Sequence, residues 1–258
     1  MMKKNFISIL ITNHNKNKYL QKNLKNCFNQ NYDSFEVIVY DDRSTDDSIK
    51  TIKKFKKIKL IQNYKNFLSP PLNQLEGLMY AFKRSKGNLI CLMDADDYFY
   101  KNKLKLINLY FNLNPSKNIL FDIPFSKYKK FYPKIKNHSY SIWPSIVPTS
   151  GISLRRKTMK KFFEFSKIKK FPHLEIDSRI MIFSYHYLNE MNLIKKKITH
   201  YNIDENGISS KYKKFSKLWW CKRIQAYTYL RYILEKKNKC FIISFDYIIT
   251  SLISRFLK

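Results

Sequence analysis

The sequence predicts an α/β fold: a mostly parallel sheet flanked by helices, followed by a helical C-terminal tail. Two patterns carry that expectation. Over the first 125 residues, short apolar runs of strand length alternate with segments whose apolar residues recur at helical spacing. Strands that alternate with helices imply parallel pairing with both sheet faces covered. From Tyr212 onward the pattern changes to helical, basic and aromatic. The length of 258 residues and the 44% hydrophobic content suit one large domain, or one domain with a tail.

Taken in order, Phe6 to Ile11 is the first strand candidate, and a helix follows with Leu20, Leu24, Cys27 and Phe28 on one face. Phe35 to Tyr40 is the second strand. Ser44 or Thr45 is placed to cap the next helix, whose Ile49, Ile52 and Phe55 share a face. Ile58 to Gln62 is the third strand. Pro70 and Pro71 suit a helix start, with Leu72, Leu75, Met79 and Phe82 turned inward. Leu89 to Met93 is the fourth strand, and a helix follows from about Asn102 to Asn112. Phe125 to Lys136 breaks the periodicity and reads as a loop or flap. Ile152 to Leu154 is a short strand, and Arg155 to Phe165 and Asp177 to Asn189 are helices. No internal repeat is evident.

The charge is unusual. Fifty Lys and Arg face 19 Asp and Glu, for a net charge of +31. Such a field attracts polyanions. Usage rich in Lys, Asn and Ile with only 4 Gly is also what AT-rich coding produces, so the charge assigns no partner by itself. Cys27, Cys91, Cys221 and Cys240 lie too far apart for metal-ligand spacing and read as reduced thiols. Met1 to Asn5 is too short for a secretory leader, so a cytoplasmic protein is expected.

Ligands of parallel sheets sit beyond the carboxyl ends of the strands. There the first strand runs into Thr12, Asn13, His14 and Asn15, the second into Asp41, Asp42 and Arg43, and the fourth into Asp94, Ala95, Asp96 and Asp97. Three carboxylates within four residues repel one another unless a cation is shared. Oxygen ligands of this kind suit Mg²⁺ or Mn²⁺ held together with phosphate oxygens. An acidic turn or helix cap would use the same residues, and Asp42 can either cap a helix or accept a base N–H. A basic nucleic-acid-binding protein would account for the charge but not for carboxylates at two strand ends, so no specific nucleic acid is expected. A nucleotidyltransferase is the other metal-dependent alternative.

Ile7-Ser8-Ile9-Leu10-Ile11-Thr12-Asn13-His14-Asn15, Tyr19-Leu20, Asn29-Gln30-Asn31-Tyr32 and Phe35-Glu36-Val37-Ile38-Val39-Tyr40-Asp41-Asp42-Arg43-Ser44-Thr45-Asp46 resemble, in order and spacing, the opening of the family 2 glycosyltransferases. Gly87 to Asp97 resembles that family's metal-binding acidic motif. Thr149 to Arg156 resembles the strand on the acceptor side, and Tyr201 to Ser210 a loop near the domain's end. The resemblance implies a GT-A fold, an inverting mechanism, a nucleoside-diphosphate sugar donor (a UDP-sugar) and a glycan or lipid-linked acceptor. It implies a nucleotide-sugar half at 1–123, an acceptor half at 124–210 and an extension at 211–258. By position Thr12, His14, Asn15 and Asp42 would hold the nucleoside, Asp94 and Asp96 would face ribose and phosphate, and Asp96 or Asp97 would hold the metal. Asp177, or else Glu175, would be the general base. His14 stands where the family carries an aromatic, and Arg43 replaces a small residue. The Gln/Arg/Trp motif of processive relatives is missing, which implies transfer of a single sugar. Trp143 is a candidate sugar-stacking wall.

In the tail, Phe241 to Leu257 is apolar apart from Ser, Thr, Asp246 and Arg255. Three placements are open: a helix packed on the domain, a helix lying in an anionic membrane interface, or a short span.

Overall fold

The computed structural model describes residues 3–65, 69–127, 142, 147–166, 169–205 and 207–257. Trp143 and most of the expected Phe125–Lys136 loop lie outside the described residues.

The chain runs β1 (Ile7–Asn13), α1 (Asn17–Phe28), β2 (Phe35–Asp42), α2 (Ser48–Lys53), β3 (Ile58–Asn63), α3 (Pro70–Arg84), β4 (Leu89–Asp94), β5 (Tyr98–Phe99), α4 (Lys103–Leu113) and β6 (Ile119–Asp122). It continues with β7 (Ile152–Arg155), α5 (Arg156–Phe165), α6 (Ile176–Ile182), β8 (Leu193–Ile194), β9 (Thr199–His200), α7 (Lys217–Glu235) and α8 (Phe245–Phe256). Among the described residues seven strands form one sheet in the order β3-β2-β1-β4-β7-β6-β8, and β5 pairs with β9. Strands β1 to β4 pair in parallel, whereas β7 runs antiparallel to both β4 and β6.

Strand side chains alternate between faces, and the sequence uses both. Ile7, Ile9 and Ile11 join Val37, Val39, Cys91 and Met93 in a core under α1, α2 and α4. Leu10, Ile38, Ile90 and Leu92 face the opposite core, with α3, α5, α6 and α7. Gly87 enters β4 where the chain touches β1: its N–H donates to Ser8 Oγ at 2.8 Å, and a methyl there would lie 2.5 Å from the Ser8 backbone nitrogen.

Three expectations need adjustment. The second helix starts at Ser48 with Asp47 at its N-cap, so neither Ser44 nor Thr45 caps it; Ser44 is bound to Asp41 and the Thr45 N–H is taken by Asn15. The helix expected over Asp177–Asn189 is α only to Ile182 and continues as a π-turn over Phe183–Leu188. The segment expected as a 211–258 extension shares a core with the preceding elements: Ala226, Tyr227, Tyr229, Leu230 and Ile233 of α7 pack in the same cluster as Ile176 and Ile180.

Candidate active site

Parallel register brings three loops level. In the β1–β2 ladder Asn13 pairs with Asp41, and in the β1–β4 ladder Thr12 pairs with Asp94. The strand ends therefore open on one cleft of about 300 Å³. Thr12, His14, Asp42, Asp94 and Asp96 line it on the sheet side, and Glu175 and Asp177 line it from α6.

Asp42 is held rigidly. One carboxylate oxygen accepts from Arg43 Nε (3.0 Å) and Asn63 Nδ2 (2.8 Å), and the other from Asn73 Nδ2 (2.7 Å). Burial pushes its carboxyl up, but these donors outweigh that and hold it below the ordinary carboxylate range. Arg43 adopts φ 56°, a left-handed conformation uncommon for a non-glycine residue, as it folds back on Asp42. His14 Nδ1 lies 2.5 Å from the Asp42 carbonyl. A carbonyl only accepts, so that nitrogen carries the hydrogen and Nε2 is left as the acceptor in the neutral ring.

The acidic loop after β4 sends its three carboxylates different ways. Asp94 accepts from Gln74 Nε2 at 2.7 Å. Burial, then the neighbouring charges of Asp96 and Asp177, raise its carboxyl to about 7. Asp96 faces the cleft and pairs with Lys16 Nζ at 3.1 Å, and Lys16 also pairs with Asp204. Burial raises Asp96 despite that ammonium. Asp97 points the other way. It is fully buried, and its two oxygens accept from Ser150 Oγ (2.5 Å) and the Asn202 N–H (2.9 Å). It is absent from the cleft wall. Asp97 therefore anchors the loop, and of the two residues expected to take the metal only Asp96 reaches the cleft.

Asn15 needs a second correction. With φ 52°, it uses its side-chain oxygen to accept from the Thr45 N–H at 2.7 Å, while its own N–H donates to Ser44 Oγ at 2.9 Å. It ties the β1–α1 loop to the β2–α2 loop and does not line the cleft.

Across the cleft, Asp177 sits in the first turn of α6, where the helix dipole favours a carboxylate. One of its oxygens accepts from the Ser178 N–H at 2.6 Å. Glu175, at the N-cap, is buried and paired with Lys222 of α7. Arg179 fixes the chain entering this helix. Its fully buried guanidinium donates to the Leu174, Lys170 and Phe171 carbonyls at 2.9, 2.9 and 2.7 Å, and also to Ser166. Burial lowers it to about 10.

Sequence reasoning missed several supports: Asn23, whose side chain donates to the Asp97 and Asp94 carbonyls at 2.6 and 3.2 Å; Ser150; Gln74; Lys16; and Asp204. None carries a local signal, since each meets the acidic loop only through the fold.

The family model described as glycosyl transferase family 2 matches residues 8–190. The chain belongs to that family. A dolichyl N-acetyl-alpha-D-glucosaminyl phosphate 3-beta-D-2,3-diacetamido-2,3-dideoxy-beta-D-glucuronosyltransferase of Methanococcus voltae is 32% identical over 107 residues, covering 39% of this chain and 33% of its own. The poly(ribitol-phosphate) beta-N-acetylglucosaminyltransferase TarS of Staphylococcus aureus is 24% identical over 90% of this chain and 42% of its own. The structure of TarS 1-349 in complex with UDP-GlcNAc superposes with a TM-score of 0.69 at 18% identity, covering 97% of this chain and 71% of that one. The mannosyltransferase PcManGT of Pyrobaculum calidifontis, in complex with GDP-Man and Mn²⁺, gives 0.62 at 13% identity, covering 99% and 70%. These likenesses establish the GT-A fold expected of this family 2 glycosyltransferase chain. Relative to the first four curated relatives, the chain spans 33%, 21%, 64% and 42% of their lengths.

Proposed function

We propose that the protein transfers one sugar, with inversion, from a UDP-sugar to a hydroxyl of a glycan or lipid-linked acceptor in surface polysaccharide assembly. The observation that carries this is a cleft with Asp42 at the end of β2, Asp94 and Asp96 at the end of β4, and Asp177 opposite them. Asp42, ionised and preset by three donor side chains, accepts the imide N–H of uracil, and Thr12 and His14 complete the nucleoside wall. Asp94 faces the ribose. Asp177 removes the acceptor proton as the hydroxyl attacks the anomeric carbon from the face away from the diphosphate. Glu175 is the weaker candidate because Lys222 already neutralises it.

The cleft fits a divalent cation. Asp94, Asp96, Asp177 and Asp204 all line it, and Lys16 is the counter-charge to Asp96 and Asp204. Mg²⁺ or Mn²⁺ at Asp96 would supply Lewis-acid stabilisation of the departing diphosphate. Among the described residues no three His, Cys, Asp or Glu are grouped to hold an ion, and phosphate oxygens of the donor would complete the ligand set. The bound Mn²⁺ in the PcManGT complex supports that reading.

A nucleotide-sugar screen with and without Mn²⁺ or Mg²⁺, read as thermal stabilisation and donor hydrolysis, tests the proposal. One UDP-sugar should stabilise the protein only with metal, and Asp96→Asn should abolish the effect. Release of pyrophosphate in place of nucleoside diphosphate would refute it.

A further inference from the structure

Helix α8 is amphipathic in the wrong sense for a surface helix. Such helices turn their apolar stripe to the core and their polar face to water. Here Asp246, Thr250 and Ser254 turn toward α7: Asp246 accepts from Arg223 and Tyr227, Thr250 is fully buried, and Ser254 Oγ lies 3.5 Å from the Trp220 carbonyl. The outward positions are Phe245, Ile248, Leu252 and Phe256, 78%, 45%, 49% and 89% exposed. Ile242 and Ile243 just before the helix are 64% and 66% exposed. Among the described residues, six of the 13 exposed large hydrophobic side chains fall within this stretch of 15 residues. The contact between Ser254 and Trp220 also sets the end of α8 beside the start of α7, where Phe215 and Leu218 are exposed.

We propose that this face seats the protein on an anionic lipid bilayer, with α8 in the plane of the interface. Charge selects the occupant. Residues 211–258 carry twelve Lys and Arg against only Glu235 and Asp246. Asp246 is neutralised by Arg223, and Glu235 pairs with Arg231 at 3.3 Å. Lys236, Lys237 and Lys239 precede the helix, Arg255 ends it, and Lys213, Lys214 and Lys217 flank the adjoining start of α7, all of them exposed. An apolar stripe bordered by lysines matches the acyl boundary below anionic headgroups. A second copy of this chain would instead bring two +31 molecules together at like-charged rims. No helix among the described residues is long and apolar enough to cross a membrane, and α8 has 12 residues, so the contact is peripheral. The inference does not depend on the reading of the cleft.

The test is co-sedimentation of the full chain with vesicles of phosphatidylcholine alone, or mixed with phosphatidylglycerol. Binding is expected only to the mixed vesicles, and it should weaken with added salt. The double variant I248E/L252E should bind at least about tenfold more weakly, the loss expected from removing two buried aliphatic side chains. Its melting temperature should be unchanged because both side chains are outside the core. Equal partition of wild type and variant would overturn the proposal. So would wild type that ignores anionic vesicles, or a dimer in sedimentation equilibrium that the variant dissociates while vesicles bind neither form.

Discussion

Replacing Lys103 with methionine should destabilise the protein far more than an ordinary Lys substitution. Lys103 is 0% exposed and lies at the start of α4. Its ammonium donates to Asp122 Oδ1 (2.5 Å), Thr199 Oγ1 (2.6 Å) and the Ser150 carbonyl (2.8 Å). Asp122 is 2% exposed, and its second oxygen accepts from Thr199 Oγ1 at 2.6 Å. Methionine fills the volume but leaves a buried carboxylate with only a hydroxyl to oppose it. Breaking such a pair costs about 3–5 kcal/mol. For a chain of this size that is a fall in Tm of roughly 6–20 °C. The double variant K103M/D122L removes both charges and should recover most of the loss. Urea denaturation of wild type, both single variants and the double variant measures the coupling directly. The reasoning fails if K103M costs less than about 1 kcal/mol, which is what an exposed ion pair contributes, or if the double variant is no more stable than K103M.

Asp177→Asn should lower the transfer rate by roughly 10²–10⁴-fold, the range of general-base catalysis, while metal-dependent stabilisation by the donor is retained; loss of both together would assign Asp177 to donor binding. Glu36 should make stability pH-dependent at the low end. Burial pushes its carboxyl up, but Lys59, the Lys86 N–H and Ser8 outweigh that and hold it below its ordinary value of 4.5. Its contribution is therefore complete above 4.5 and lost as pH falls through the lower folded value. The stability gap between wild type and E36Q should accordingly close on acidification, and a gap that widens there would contradict the assignment. Gly87→Ala should cost about 1–3 kcal/mol, the range for overpacking, because its methyl meets the backbone of β1, 2.5 Å from Ser8 N. Thermal denaturation measures this, and an unchanged Tm would show that the two strands can part.

The sheet was legible because a strand buried on both faces is a nearly continuous apolar run, and three such runs, those of β1, β2 and β4, precede residue 95. Their polar ends were legible for the same reason: parallel strands gather their carboxyl ends on one edge. Asp42, Asp94 and Asp96 therefore stand out as candidates for the cleft, whereas Asp177, at a helix start, is singled out only by the family resemblance. Sequence could not say which way consecutive side chains turn once the strand stops. Asp96 and Asp97 are adjacent and chemically identical, yet one faces the cleft and the other is pinned by Ser150 and Asn202. Asn15 belongs to the same polar run as Thr12, but its left-handed backbone sends the side chain into the neighbouring loop.

The amino-acid sequence alone determined the layered α/β architecture, the edge on which the acidic groups meet and the largely apolar character of the last helix. Periodicity and strand-end position are local properties, written in consecutive residues. Only the tertiary structure decided which charges pair across the chain: Lys16 with Asp96 and Asp204, Lys222 with Glu175, and Lys103 with Asp122. It also decided that the polar side of α8 faces inward and the apolar side outward. An ion pair or a buried face depends on what a distant segment brings within a few ångströms, and no local pattern encodes that.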